Sequence, residues 1–146
     1  MDAREMLARE VNREVYHEVR ELWKAHSIAE DRRDIAGLIA TLTDDCVYEV
    51  LPGGTRWEGH AGAVRFYTEL ISAIPDIHFD LQNIVIGPQG VVEEAIVTGT
   101  HSAKWLGNEP TGERMTWRNA IFFPWDRESR RFKGERVYTD APRRSA

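Results

Sequence analysis

The chain has 146 residues, 42% hydrophobic and 29% charged, a size and composition that bury one core without disulfide or metal support. A formal net charge of −5 and the lack of a long basic run argue against a nucleic-acid partner, and no stretch has the length of apolar residues needed to span a bilayer. The single cysteine, Cys46, excludes an internal disulfide, and the charge-alternating N-terminus does not read as a leader, so a cytoplasmic domain is expected.

Residues 3–30 read as one helix, because Val15, Val19, Leu22, Trp23 and His26 recur at spacings of three and four with charges between them. Asp34 can cap a second, short helix with Ile35, Leu38, Ile39 and Leu42 as its stripe. TDD then turns the chain, CVYEVL reads as a strand around a small, buried Cys46, and PGG at 52–54 breaks it. From His60 to Ile74 a third helix carries Val64, Phe66, Tyr67, Leu70, Ile71 and Ile74, and Pro75-Asp76 ends it.

Beyond that turn the period changes to two. Ile77, Phe79 and Leu81 alternate with His78, Asp80 and Gln82, and Gly87-Pro88-Gln89-Gly90 closes a hairpin. Two long strands, about 91–105 and 113–125, flank GNEPTGE, and FKGERVYTD is the last strand before a loose APRRSA tail. Helices first and an antiparallel meander after them give an α+β fold, one domain over 1–146, with the helices on one face of the sheet.

Two stretches within this order are distinctive: GTHSAKWLGNEPTG at 99–112 and GHAGAVRFYTELISAIPD at 59–76. Together they resemble the SnoaL-like polyketide cyclase family, of the nuclear transport factor 2-like superfamily, over about residues 18–141. The resemblance implies a cone in which three N-terminal helices close a curved antiparallel sheet over a deep hydrophobic pocket. It further implies acid–base cyclisation, isomerisation or dehydration of a hydrophobic carbonyl compound (polyketide- or terpenoid-like), and a homodimer. Other members of the superfamily only bind ligands or partners, so the site rests on residues. Where such cyclases hold a catalytic aspartate, this chain has Asn119 or Ala120, and an Arg-x-Asp pair is represented only by Arg118.

Other polar residues fill the gap. His26 and Glu30 are four apart on an apolar helix face, either a dyad in which the carboxylate orients the imidazole, or a helix-end histidine beside a solvated acid. His101 alternates with Ala95 and Val97, which makes it a pocket histidine with room left by Gly99, or a structural one. One of Glu93 and Glu94 must face inward, and in the last strand Glu135, Val137 and Thr139 separate from Arg136, Tyr138 and Asp140. His26, Glu30, His101 and Arg118 are therefore the candidate catalytic residues, with His26 or His101 as base and Arg118 or Tyr67 steadying an oxyanion. Trp23, Trp57, Tyr67, Trp105, Trp117, Asn119, Glu135 and Tyr138 are candidate ligand contacts for a small hydrophobic molecule. His26, Glu30, His101 and an inward glutamate could gather a metal. No HxxxH or HExxH pattern supports one, and no glycine loop cradles a phosphate, so neither metal nor cofactor is expected.

Overall fold

Asn12 decides where the N-terminal helix divides. The computed structural model of the protein describes residues 1–140, so the APRRSA tail lies outside the described residues. Asn12 accepts a hydrogen bond from the Val15 amide at 2.8 Å, and this cap starts α2 (Arg13–Asp31) afresh after a short α1 (Ala3–Ala8). The single helix expected over 3–30 is therefore two. Val15, Val19, His26 and Ala29 form the buried stripe of α2, with Leu22 and Trp23 packed beside it. Asp34 caps α3 (Ile35–Ala40) through the Gly37 amide, as its sequence position implies.

β1 (Leu42–Leu51) begins four residues earlier than CVYEVL, and β2 (Thr55–Glu58), which the PGG breaker concealed, folds back onto it. α4 (Gly59–Ala73) buries Phe66, Tyr67, Leu70 and Ala73, while Val64 stays exposed. The remaining strands are β3 (His78–Gly87), β4 (Gly90–Thr100), β5 (Arg114–Asp126) and β6 (Arg131–Thr139). They make a six-stranded sheet of order β2-β1-β6-β5-β4-β3. All neighbours run antiparallel except β1 and β6, whose parallel pairing makes the sheet mixed and returns the last strand to its centre. β4 and β5 bury alternate residues, Val91, Glu93, Ala95 and Val97 on one and Trp117, Asn119, Ile121 and Phe123 on the other. Strand β3 slips register after Leu81, leaving Leu81, Ile84 and Val85 exposed, so its expected alternation stops there. Fully buried Leu38 and Phe132 each contribute about 2 kcal/mol of apolar burial to the core between helices and sheet. Among the described residues no helix is long and apolar enough to cross a membrane.

Two glycines set the site's geometry. Gly134 has φ +106°, and an added Cβ would lie 2.0 Å from the Val47 carbonyl oxygen of β1. Between Phe132 and Arg136, β6 has one residue more than the facing stretch of β5, so Gly134 sits in a bulge. The bulge shifts the phase of the strand, so that Phe132 and Glu135, three apart, both point inward. Gly99 is needed for a different reason: a Cβ there would strike Ile74 Cγ2 at 2.2 Å. It admits the end of α4, so the room it provides is for Ile74 rather than for His101.

Candidate functional site

Helix α2, helix α4 and strand β6 bring His26, Tyr67 and Glu135 together beneath the sheet. His26 Nε2 lies 2.9 Å from Glu135 Oε1, and the Tyr67 hydroxyl lies 3.1 Å from the same nitrogen and 3.0 Å from the same oxygen. Tyr48 adds its hydroxyl 2.9 Å from that of Tyr67. On the other side of the ring, Nδ1 sits 2.7 Å from Thr41 Oγ1, which itself donates to the Leu38 carbonyl at 2.7 Å. Phe123 and Phe132 meet the imidazole edge-on and wall it from water.

These contacts can be counted in protons. Thr41 has one hydroxyl proton, and the short contact to the Leu38 carbonyl uses it, so Nδ1–H is the donor to Thr41. Nε2 then faces a carboxylate oxygen at hydrogen-bond distance, where a bare nitrogen would be repelled. One further proton lies between His26 and Glu135, and Tyr67 donates its own proton to the carboxylate. The pair is thus an imidazolium with a carboxylate, or an imidazole with a carboxylic acid, sharing one proton between two buried side chains.

Two more acids crowd this pair. Glu93, inward on β4, accepts from Trp23 Nε1 at 3.1 Å. Burial first, then the charge of Glu135, pushes its carboxyl up to about 8. Glu30 is half-buried, and its carboxyl is held well above the usual range by burial, then by Glu135, Glu93 and Asp31, with Arg33 opposing. Tyr48 and Tyr67 are likewise raised, by burial and by Glu135, and remain hydrogen-bond donors at neutral pH. The donor atoms of His26, Glu30 and Glu135 lie within 4.8 Å of one another, so among the described residues these three could share a cation.

Above the cluster lies an inner cavity of about 40 Å³, room for a water or two. Glu30, Glu135, Asn119 and Thr139 supply its polar wall; Phe66, Leu70, Phe79 and Ile121 are among its apolar ones. Trp105, Leu106 and Trp117 border both this cavity and an outer chamber of about 680 Å³. Leu106 (φ +49°) and Gly107 (φ +78°) form the tight turn that carries Trp105, whose ring stacks on Trp57 at 5.9 Å. His101 borders the outer chamber, and its Nε2, though buried, has no hydrogen-bond partner. Asn119 Oδ1 is also buried without one.

The structure redistributes several of the expected site residues. The imidazole of His26 bonds to Glu135, Tyr67 and Thr41, not to Glu30, because the bulge at Gly134 delivers a carboxylate from the sheet. His101 belongs to the mouth and His26 to the closed end. Arg118 and Tyr138 are exposed on the opposite sheet face, around a shallow hollow with Glu94 and Asp140, and so do not reach the cavity. Alternation turns Arg118 out because it turns Trp117 and Asn119 in. Trp23 and Trp57 are tied to Glu93 and Glu69, whereas Trp105 and Trp117 form cavity wall. Thr41 and Tyr48 escaped the sequence reading. Tyr48 alternates with Cys46 and Val50 on the inward face of β1, and that parity was the available signal.

No curated protein matches the sequence. Solved structures share the fold. A SnoaL-like protein from Jannaschia sp. CCS1 is 17% identical and superposes with a TM-score of 0.78, over 90% of this chain and 92% of its own. AclR from Streptomyces galilaeus is 21% identical with a TM-score of 0.67, over 86% and 90%. An NTF2-like protein from Burkholderia pseudomallei K96243 is 16% identical with a TM-score of 0.71, over 84% and 91%. The profile of the SnoaL-like polyketide cyclase family matches residues 13–139, nearly all of the described chain, and the protein therefore belongs to that family.

Proposed function

We propose that the protein is an acid–base catalyst of the cyclase type, acting on a hydrophobic carbonyl compound whose body fills the outer chamber and whose reacting edge enters the inner cavity. The carrying observation is Glu135, buried, bonded to His26 and Tyr67, and bordering a cavity whose other walls are mainly apolar. Its carboxylate removes a proton from the carbon beside the carbonyl. Glu30, kept protonated by burial and by the acids around it, donates to the carbonyl oxygen as the enol forms. The enol then attacks an electrophilic carbonyl carbon of the same molecule, whose oxygen takes the proton from Glu135, or expels a β-hydroxyl that leaves as water with that proton. In either case the enol O–H proton returns to Glu30 as the carbonyl re-forms, which restores both acids. His26 tunes Glu135 by sharing a proton with it, and Thr41 holds the imidazole in register. An outer chamber of about 680 Å³ accommodates a ligand of two or three fused rings.

A carrier role is the second reading. It is favoured by the small inner cavity and by polar groups that already satisfy one another there. Incubating the protein in deuterium oxide with a panel of fused-ring ketones separates the two. Acid–base catalysis places deuterium beside the carbonyl of a bound ketone, and Glu135→Gln stops it. Ketones that bind tightly and take up no deuterium would leave the carrier.

A further inference from the structure

The closed end holds more acid than this chemistry uses. Glu30 and Glu135 lie close to one imidazole, Glu93 adds its charge to theirs, and among the described residues no lysine or arginine forms an ion pair with any of the three. Buried carboxylates at such density demand positive charge, either as protons or as a cation. Three of the side chains have cation-binding geometry: His26 Nε2, one oxygen of Glu30 and one of Glu135 lie within 4.8 Å of one another, with the His26–Glu135 edge at 2.9 Å. Metal bonds of about 2.0–2.2 Å to nitrogen and oxygen bring neighbouring ligand atoms to about 3.0–3.4 Å, a spacing within reach of three groups already gathered inside 4.8 Å. Independently, Asn119 borders the same cavity as Glu30 and Glu135, is 8% exposed, and keeps its Oδ1 without a hydrogen-bond partner. An amide oxygen in that condition is an acceptor in want of a donor or a cation.

We infer that His26, Glu30 and Glu135 form a binding site for a divalent cation of the zinc or manganese class, with Asn119 Oδ1 as a further ligand. One imidazole with carboxylate and amide oxygens is a donor set these borderline ions accept. The Trp105–Leu106 turn, which borders both the inner cavity and the outer chamber, marks the entry route. The site does not depend on the acid–base reading, and its test reads binding rather than turnover.

The protein, stripped with a chelator, is titrated with Zn²⁺ and with Mn²⁺ by calorimetry. The expected result is one equivalent bound per chain. Glu30→Gln and Asn119→Ala, checked for folding by circular dichroism, each weaken binding by about tenfold or more. His26→Ala does the same if it folds, and Glu30→Gln carries the test if it does not. Glu94→Gln, on the outer face of the sheet, leaves binding unchanged. Absence of stoichiometric binding of either ion, or binding that survives both Glu30→Gln and Asn119→Ala, overturns the site.

Discussion

The two buried histidines of this protein sit in opposite circumstances. Both ring nitrogens of His26 are engaged, one with Thr41 and the other with Glu135 and Tyr67. His101 is almost as deeply buried, yet its Nε2 has no partner, and it borders a chamber of about 680 Å³ where His26 lies behind a cavity of about 40 Å³. A satisfied network fixes geometry and holds protons in place before any ligand arrives. An orphaned imidazole nitrogen instead carries a desolvation cost of about 1–3 kcal/mol with no bond to offset it. The closed end is thus internally satisfied, whereas the open end keeps a buried ring nitrogen without a partner.

Substitution breaks the comparison most directly. His26→Ala removes one partner of a buried pair and strands Glu135, and it should destabilise the fold by about 3–5 kcal/mol. His101→Leu removes that unpartnered nitrogen without breaking a hydrogen bond at Nε2, and should leave stability unchanged or raise it by up to about 3 kcal/mol. Urea denaturation of the two variants reads the contrast. Equal losses would mean that the two ends are built alike.

A second difference lies in pH. Glu93 has a folded-state carboxyl near 8, above its unfolded value, so the folded chain binds the proton more tightly. That contribution is fully present below the unfolded value of about 4.5 and is lost as pH rises through 8. Glu30 acts in the same direction. Melting temperature should therefore fall between pH 5 and 9 by more than surface titration explains. Glu93→Gln, which keeps an acceptor for Trp23 Nε1, should flatten that fall and recover a few kcal/mol, about, at the alkaline end. A variant that melts in parallel with the parent across the range would show Glu93 ionised at neutral pH, and the closed end would lose its store of protons.

Much of this was legible in the sequence, and what was not has physical reasons. The 3.6 period placed the inward faces of α2 and α4, so His26 and Tyr67 fell on their proper side, whereas on the strands the choice between Glu93 and Glu94 stayed open and Arg118 was put in the site together with its neighbours Trp117 and Asn119. Periodicity reports orientation within an element, not which elements meet. Pairing His26 with Glu30 followed from their shared helix. The actual partner, Glu135, arrives from 109 residues away, on a strand whose place beside β1 is a matter of topology. The break at Asn12 was concealed because both flanking segments are helical by composition and only a cap divides them. Thr41 went unnoticed because its hydroxyl acts from the end of a short helix, where no repeat points to it.

The smallest expected effect belongs to Arg118. Its amide donates to Asp140 Oδ1 and its carbonyl accepts from the Asp140 amide, both backbone contacts that any residue keeps. The guanidinium stands on the exposed face, between Trp117 and Asn119, which point the other way. Arg118→Ala should then alter stability by no more than about 0.5 kcal/mol and leave ketone deuteration unchanged. Asn119→Ala, one residue along, alters the cavity wall and should slow that exchange. Because the side-chain period of a strand is two, the outcomes cannot be exchanged without turning all of β5 over. Were Arg118→Ala the variant that lost activity, the outer hollow beside Tyr138 and Asp140, and not the cone interior, would hold the chemistry.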